Sequence, residues 1–166
     1  MIDLPWLAPG LLLAMIVSIV AGPRVGRELG AGTLIGALMV FSLGMIVSAT
    51  LTPQSAALEF GARGGGTCDF TLVGLPSLSD FLSLNEITLN MLLFLPLGAT
   101  IGVVPRSRRK VALIIAVVLL PFVIEWMQLV IPVLDRACEV SDIVYNLTGL
   151  ALGMAIAWVG IRVYRD

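Results

Sequence analysis

Apolar runs about as long as a bilayer is thick, separated by short polar turns, dominate this chain. An α-helix crosses the hydrocarbon core with roughly 20 mostly apolar residues. Five runs reach that length: Leu4 to Gly22, Gly30 to Leu51, Glu86 to Val104, Val111 to Ile131 and Asp142 to Ile161. The pattern predicts an all-α, polytopic membrane helix bundle of about five transmembrane helices, forming one membrane domain over residues 1–166. Two N-terminal spans (1–51) are followed by a connecting segment (52–85) and a three-helix core (86–162).

The connecting segment holds Pro53, Pro76 and the run Gly64-Gly65-Gly66, which read as irregular loop. It also carries Phe70, Leu72, Val73, Leu75, Leu78, Phe81 and Leu82. A plain flexible linker would be more polar, so the segment is expected to pack as a cap on or into the membrane surface.

Lys and Arg set the orientation, because short cytoplasmic loops carry them in excess. If the spans alternate, Arg24, Arg27, Arg106, Arg108, Arg109, Lys110, Arg162 and Arg165 share one side, and only Arg63 and Arg136 lie on the other. The expected topology has the N-terminus outside and the C-terminus in the cytoplasm. The first span reads as a retained helix, since Met1-Ile2-Asp3 lacks the basic flank of a cleaved signal peptide.

Composition narrows the chemistry. Charged residues make up 13% of the chain and mean hydropathy is +1.04, which places it in the membrane class. Net charge is −1, with no basic stripe suited to nucleic acid. There is no histidine and there are two cysteines. These absences remove imidazole acid–base chemistry and the usual transition-metal sites. No metal or cofactor is implied, and membrane lipids are the expected partners of a multi-pass protein of the cell membrane.

Topology places Cys68 in the external segment and Cys138 in the external turn between spans four and five. A pair of cysteines on the oxidising side reads as a disulfide. It would tie the cap to that turn.

The polar residues of the core converge on the same side. Glu125 and Gln128 are three apart on span four, and Asp142 and Asn146 are four apart on span five, so each pair shares a helix face. Asn90 lies about one turn into span three, and Arg136 sits in the external turn beside Asp135 and Glu139. Carboxylates and carboxamides in a membrane helix are costly and need a partner or a purpose. Asn90, Glu125, Gln128, Arg136, Asp142 and Asn146 are therefore candidate ligand-binding residues of one outer-leaflet site, with Glu125 and Asp142 the candidates for carboxylate chemistry. Structural glue between helices is the competing reading. Gly149 and Gly153 read as a close helix-packing face.

The segment Asn90-Met91-Leu92-Leu93-Phe94-Leu95-Pro96-Leu97-Gly98 resembles the N-x-L-L-F-x-P-x-G segment of VanZ-like membrane proteins. Glu125-Trp126-Met127-Gln128 is similar to that family's E-x-x-Q. Arg136, Asp142, Asn146, Gly149 and Gly153 resemble its R…D-x-x-x-N-x-x-G-x-x-x-G ending. The resemblance runs from about Asn90 to Gly153, and the first two spans carry no signature of it. It implies a small helical membrane protein. The founding members of the family are associated with lowered susceptibility to glycopeptide antibiotics, teicoplanin above all. The expected function is binding of an envelope lipid, a cell-wall precursor or such an antibiotic. A membrane-embedded enzyme acting on a lipid-linked substrate, or an assembly subunit, are the alternatives.

Overall fold

A computed structural model describes residues 5–60, 67–71 and 85–165. Its helices are α1 (Leu7–Glu28), α2 (Thr33–Thr50), α3 (Ser55–Phe60), α4 (Glu86–Val103), α5 (Arg108–Val130) and α6 (Val140–Arg165). All but the short α3 are long and apolar enough to cross a membrane. A 3-10 turn at Pro132–Leu134 leads from α5 to the strand β2 (Cys138–Glu139), which pairs in parallel with β1 (Cys68–Asp69).

The chain builds two tight helix pairs. In the first, α1 and α2 form an antiparallel hairpin. Its turn contains Gly30 at φ +66°, a backbone geometry open to glycine at no steric cost. The second pair is parallel: α4 and α6 both start at the end marked by the cysteines, because α5 carries the chain back between them.

Small residues set the α4–α6 spacing from both sides. A methyl at Gly149 would collide with the Met91 carbonyl, and one at Gly153 with the Leu95 carbonyl. Gly98 lies equally close to the Leu150 carbonyl. Lipid offers helices no hydrophobic drive to associate, so close backbone approach supplies packing that larger side chains would forbid. Contacts between α2 and α4 join the two pairs. The core lies where these helices meet α5, with Met39, Ile46, Phe94, Leu97, Ile101, Val117, Ile124 and Leu150 buried. Exposed residues such as Ile19, Val20, Leu34 and Ile115 are apolar, as lipid-facing positions are.

Helix ends are capped by residues the sequence puts there. Asn85 accepts from the Thr88 N–H at 2.9 Å, and Ser107 accepts from the Lys110 N–H at 3.1 Å. At the other end of α4, Lys110 Nζ donates to the carbonyls of Gly102 (3.0 Å) and Val104 (2.6 Å). Arg109 likewise donates to the Glu28 carbonyl at the end of α1. A cation on the last carbonyls of a helix satisfies orphan acceptors and complements the dipole. The basic turn thus has a structural role beside its topological one.

The expected spans two to five agree with α2, α4, α5 and α6 to within four residues at each end. The first is longer than expected. It was read as ending at Gly22, yet α1 continues through Pro23 to Glu28. Its last turn is polar and held by an Arg24–Glu28 pair at 3.4 Å, so hydropathy marks the end of the apolar run and not of the helix. Of the proposed cap, α3 and residues 67–71 are described. Gly64-Gly65-Gly66, Leu72, Val73, Leu75, Leu78, Phe81 and Leu82 lie outside the described residues.

Candidate functional site

The expected disulfide is present. Cys68 and Cys138 are bonded, with Cα atoms 4.5 Å apart, and they face each other in the β1–β2 register. The bridge fastens the segment after α2 to the turn between α5 and α6. Two hydrogen bonds reinforce the attachment. The Gln54 N–H donates to the Leu134 carbonyl at 3.4 Å, and Arg136 Nε donates to the Thr52 carbonyl at 3.3 Å. Asp135 makes the turn sharp by adopting φ +50°, which Asp tolerates better than most residues.

Beneath this roof lies a cavity of about 300 Å³, and all six polar residues singled out by spacing line it: Asn90, Glu125, Gln128, Arg136, Asp142 and Asn146. They come from α4, α5, the α5–α6 turn and α6, so four separate pieces of chain supply one site. Leu7 and Leu11 of α1, Met45 and Ala49 of α2 and Leu93 of α4 complete an apolar wall. A second, more polar cavity of about 210 Å³ shares Leu89, Asn90, Gln128, Arg136 and Asp142 with the first and adds Gln54, Glu86 and Glu139. The two spaces together are amphipathic: Glu125, Gln128 and Asn146 are buried, and the half-buried Leu7, Leu11, Met45, Ala49 and Leu93 form the more open, apolar side.

Glu125, Gln128, Asn90 and Asp142 each have a definable partner. Glu125 is 3% exposed, and its Oε2 accepts the Glu139 backbone N–H at 2.8 Å. It thus bonds an amide just ahead of α6, where free N–H groups and the positive end of a helix dipole favour a carboxylate. Gln128 Nε2 donates to the Thr50 carbonyl at 3.1 Å, tying α5 to the end of α2. Asn90 and Asp142 share a side-chain hydrogen bond that joins α4 to α6.

Two groups are only partly satisfied. Among the described residues, Arg136 Nη2 and Asn146 Oδ1 are buried and have no hydrogen-bond partner. Burial pushes the Arg136 guanidinium below its ordinary pKa, while Asp142 and Glu125 pull it back up. A guanidinium stays charged in proteins, so this one is a fixed cation lining the cavity. It is faced by the carboxylates of Glu125 and Asp142. Among the described residues, no group of three or more Cys, Asp or Glu side chains is arranged to hold a metal ion.

Sequence reasoning did not find the apolar wall or the two backbone acceptors on Thr50 and Thr52. Leucines in an apolar helix carry no distinguishing mark, and every residue has a carbonyl. Gln54, Glu86 and Glu139 were also missed as lining residues, although Glu139 lies three positions from Arg136.

No curated protein and no solved structure matches the chain. A family model does match, over residues 33–161, so the match takes in α2 as well as the core helices in which the resemblance was first read. The chain belongs to the VanZ/LLP1 family.

Proposed function

We propose that this protein binds a membrane amphiphile with an anionic head, an envelope lipid or lipid-linked cell-wall precursor, in the cavity under the Cys68–Cys138 bridge. The observation that carries the reading is Arg136 Nη2, a buried donor on a fixed cation with no hydrogen-bond partner among the described residues, lining a space that also has apolar walls. A buried unsatisfied donor costs roughly 1–3 kcal/mol, and a phosphate or carboxylate oxygen of a ligand would satisfy it in charge-assisted geometry. Asn146 Oδ1 offers an acceptor for a hydroxyl or amide of the same head, and Leu7, Leu11, Met45 and Leu93 contact the start of its chain. The charge bias of the loops supports an outer-face location for this end. Holding a cell-wall precursor there is how we connect the site to antibiotic tolerance.

Binding fits the geometry better than the alternatives. A dry, filled helix interface would favour an assembly subunit, whereas about 300 Å³ of space lies between these side chains. Glu125 already uses one oxygen on the Glu139 amide, which suits support of the site more than proton transfer. The test is lipid identification by mass spectrometry on full-length protein purified from native membrane, with Arg136→Gln beside wild type. Wild type is expected to retain an anionic amphiphile that the variant loses. An identical lipid complement in both would refute the reading.

A further inference from the structure

The opposite end of the α4–α6 pair holds a third cavity, of about 450 Å³, between the α4–α5 turn and the last turns of α6. Asp142 and Arg162 are twenty positions apart on one helix, so this cavity is separated from the other two by on the order of 30 Å. The cations lining it are Arg106, Lys110 and Arg162, and no acidic residue lines it. Trp158 and Ile161 supply its apolar side.

These groups are arranged for a phosphate. Lys110 Nζ is fixed by its bonds to the carbonyls of Gly102 and Val104, and an ammonium has a third donor beyond those two. The guanidinium carbon of Arg162 lies over the Trp158 ring, 3.9 Å from its centroid, a cation–π contact that holds the side chain at the cavity. Arg106 is exposed at the rim. Trp158 is half-exposed, as are Ile156 and Val159 on the same helix, so the cavity opens toward an apolar face. Tryptophan at this depth is typical of the membrane–water interface. A basic turn alone would be explained by topology. A cavity free of carboxylates, with one cation pinned by carbonyls and another stacked on an indole, exceeds what topology requires.

We infer that this cavity binds the phosphate of an anionic phospholipid headgroup, with Arg106, Lys110 and Arg162 as donors and the acyl chains lying along the Trp158 face of α6. The site is independent of the one under the disulfide.

The test is native mass spectrometry of the full-length protein released from lipid discs containing phosphatidylglycerol and phosphatidylcholine. Wild type is expected to retain phosphatidylglycerol preferentially. Arg106→Gln and Arg162→Gln are each expected to reduce that preference roughly fivefold, and the double variant to abolish it. Arg24→Gln with Arg27→Gln removes the same charge from the same end but outside the cavity, and is expected to keep the preference. Circular dichroism on each variant verifies the fold. Arg162→Lys, which keeps the charge but not the guanidinium over Trp158, is expected to weaken retention and serves if the double variant does not fold. Equal loss in the cavity and off-cavity double variants would overturn the site in favour of general surface attraction. Absence of a preference in wild type, or displacement of the lipid by millimolar inorganic phosphate, would overturn the lipid assignment.

Discussion

The carboxylate of Glu125 accepts the backbone N–H of Glu139 at 2.8 Å, joining the interior of α5 to the start of α6 across fourteen positions of sequence. This bond explains how a carboxylate is tolerated inside a membrane helix: it answers an amide that helix geometry would leave unpaired. Glutamine at 125 retains an oxygen in the same place. Glu125→Gln is therefore expected to fold and insert with nearly wild-type stability. Glu125→Leu strands the Glu139 N–H and is expected to lose about 1–3 kcal/mol. Denaturant titration in detergent checks both, and equal stability of the leucine variant would contradict the assignment.

The bridge between Cys68 and Cys138 closes a loop of 70 positions. By chain entropy, a cross-link of that span contributes about 4 kcal/mol. Peptide mapping of non-reduced protein should recover the two cysteines joined, and reductant should lower the melting temperature. Recovery of both as free thiols would contradict the bridge.

The α4–α6 contact makes a sharper forecast. Gly153→Ala puts a methyl against the Leu95 carbonyl and is expected to cost about 1–3 kcal/mol. Gly160, on the same helix, has nothing within 4 Å of an added methyl, so Gly160→Ala is expected to be neutral or mildly stabilising, by up to about 1 kcal/mol. Parallel unfolding curves separate the two, and equal destabilisation would mean that the helices are not packed this closely.

Five helices were legible because the apolar runs are long and their breaks are marked: Gly30 at the first turn, Ser107 at the start of α5, Pro132 after its end. The six polar residues were legible because they are rare in such runs, and spacing alone assigned their faces. Their partners were not. Glu125 and Gln128 share a face, but each reaches a backbone group supplied by another element, Glu139 and Thr50. No periodicity encodes a backbone amide brought near by tertiary packing. Gly149 and Gly153 were readable as a packing face, yet the reciprocal Gly98 was seen only as part of a motif. Its role depends on the parallel arrangement of α4 and α6.

Orientation in the membrane rests on the basic residues of the loops. We expect a cysteine introduced at Ser107, in the Cys68→Ser/Cys138→Ser background, to be reached by an impermeant thiol reagent only after the cells are opened. Labelling in intact cells would place the amphiphile site on the cytoplasmic face and break its link to extracellular antibiotics.

The surroundings of Arg136 Nη2 test the binding proposal most directly. An experimental density map of the full-length protein in its native lipids should show a phosphate or carboxylate oxygen within about 3 Å of that nitrogen, with density continuing from it between Leu7, Leu11, Met45 and Leu93. A map in which Nη2 is satisfied by protein or water alone, and the apolar wall is closed against itself, would contradict the proposal.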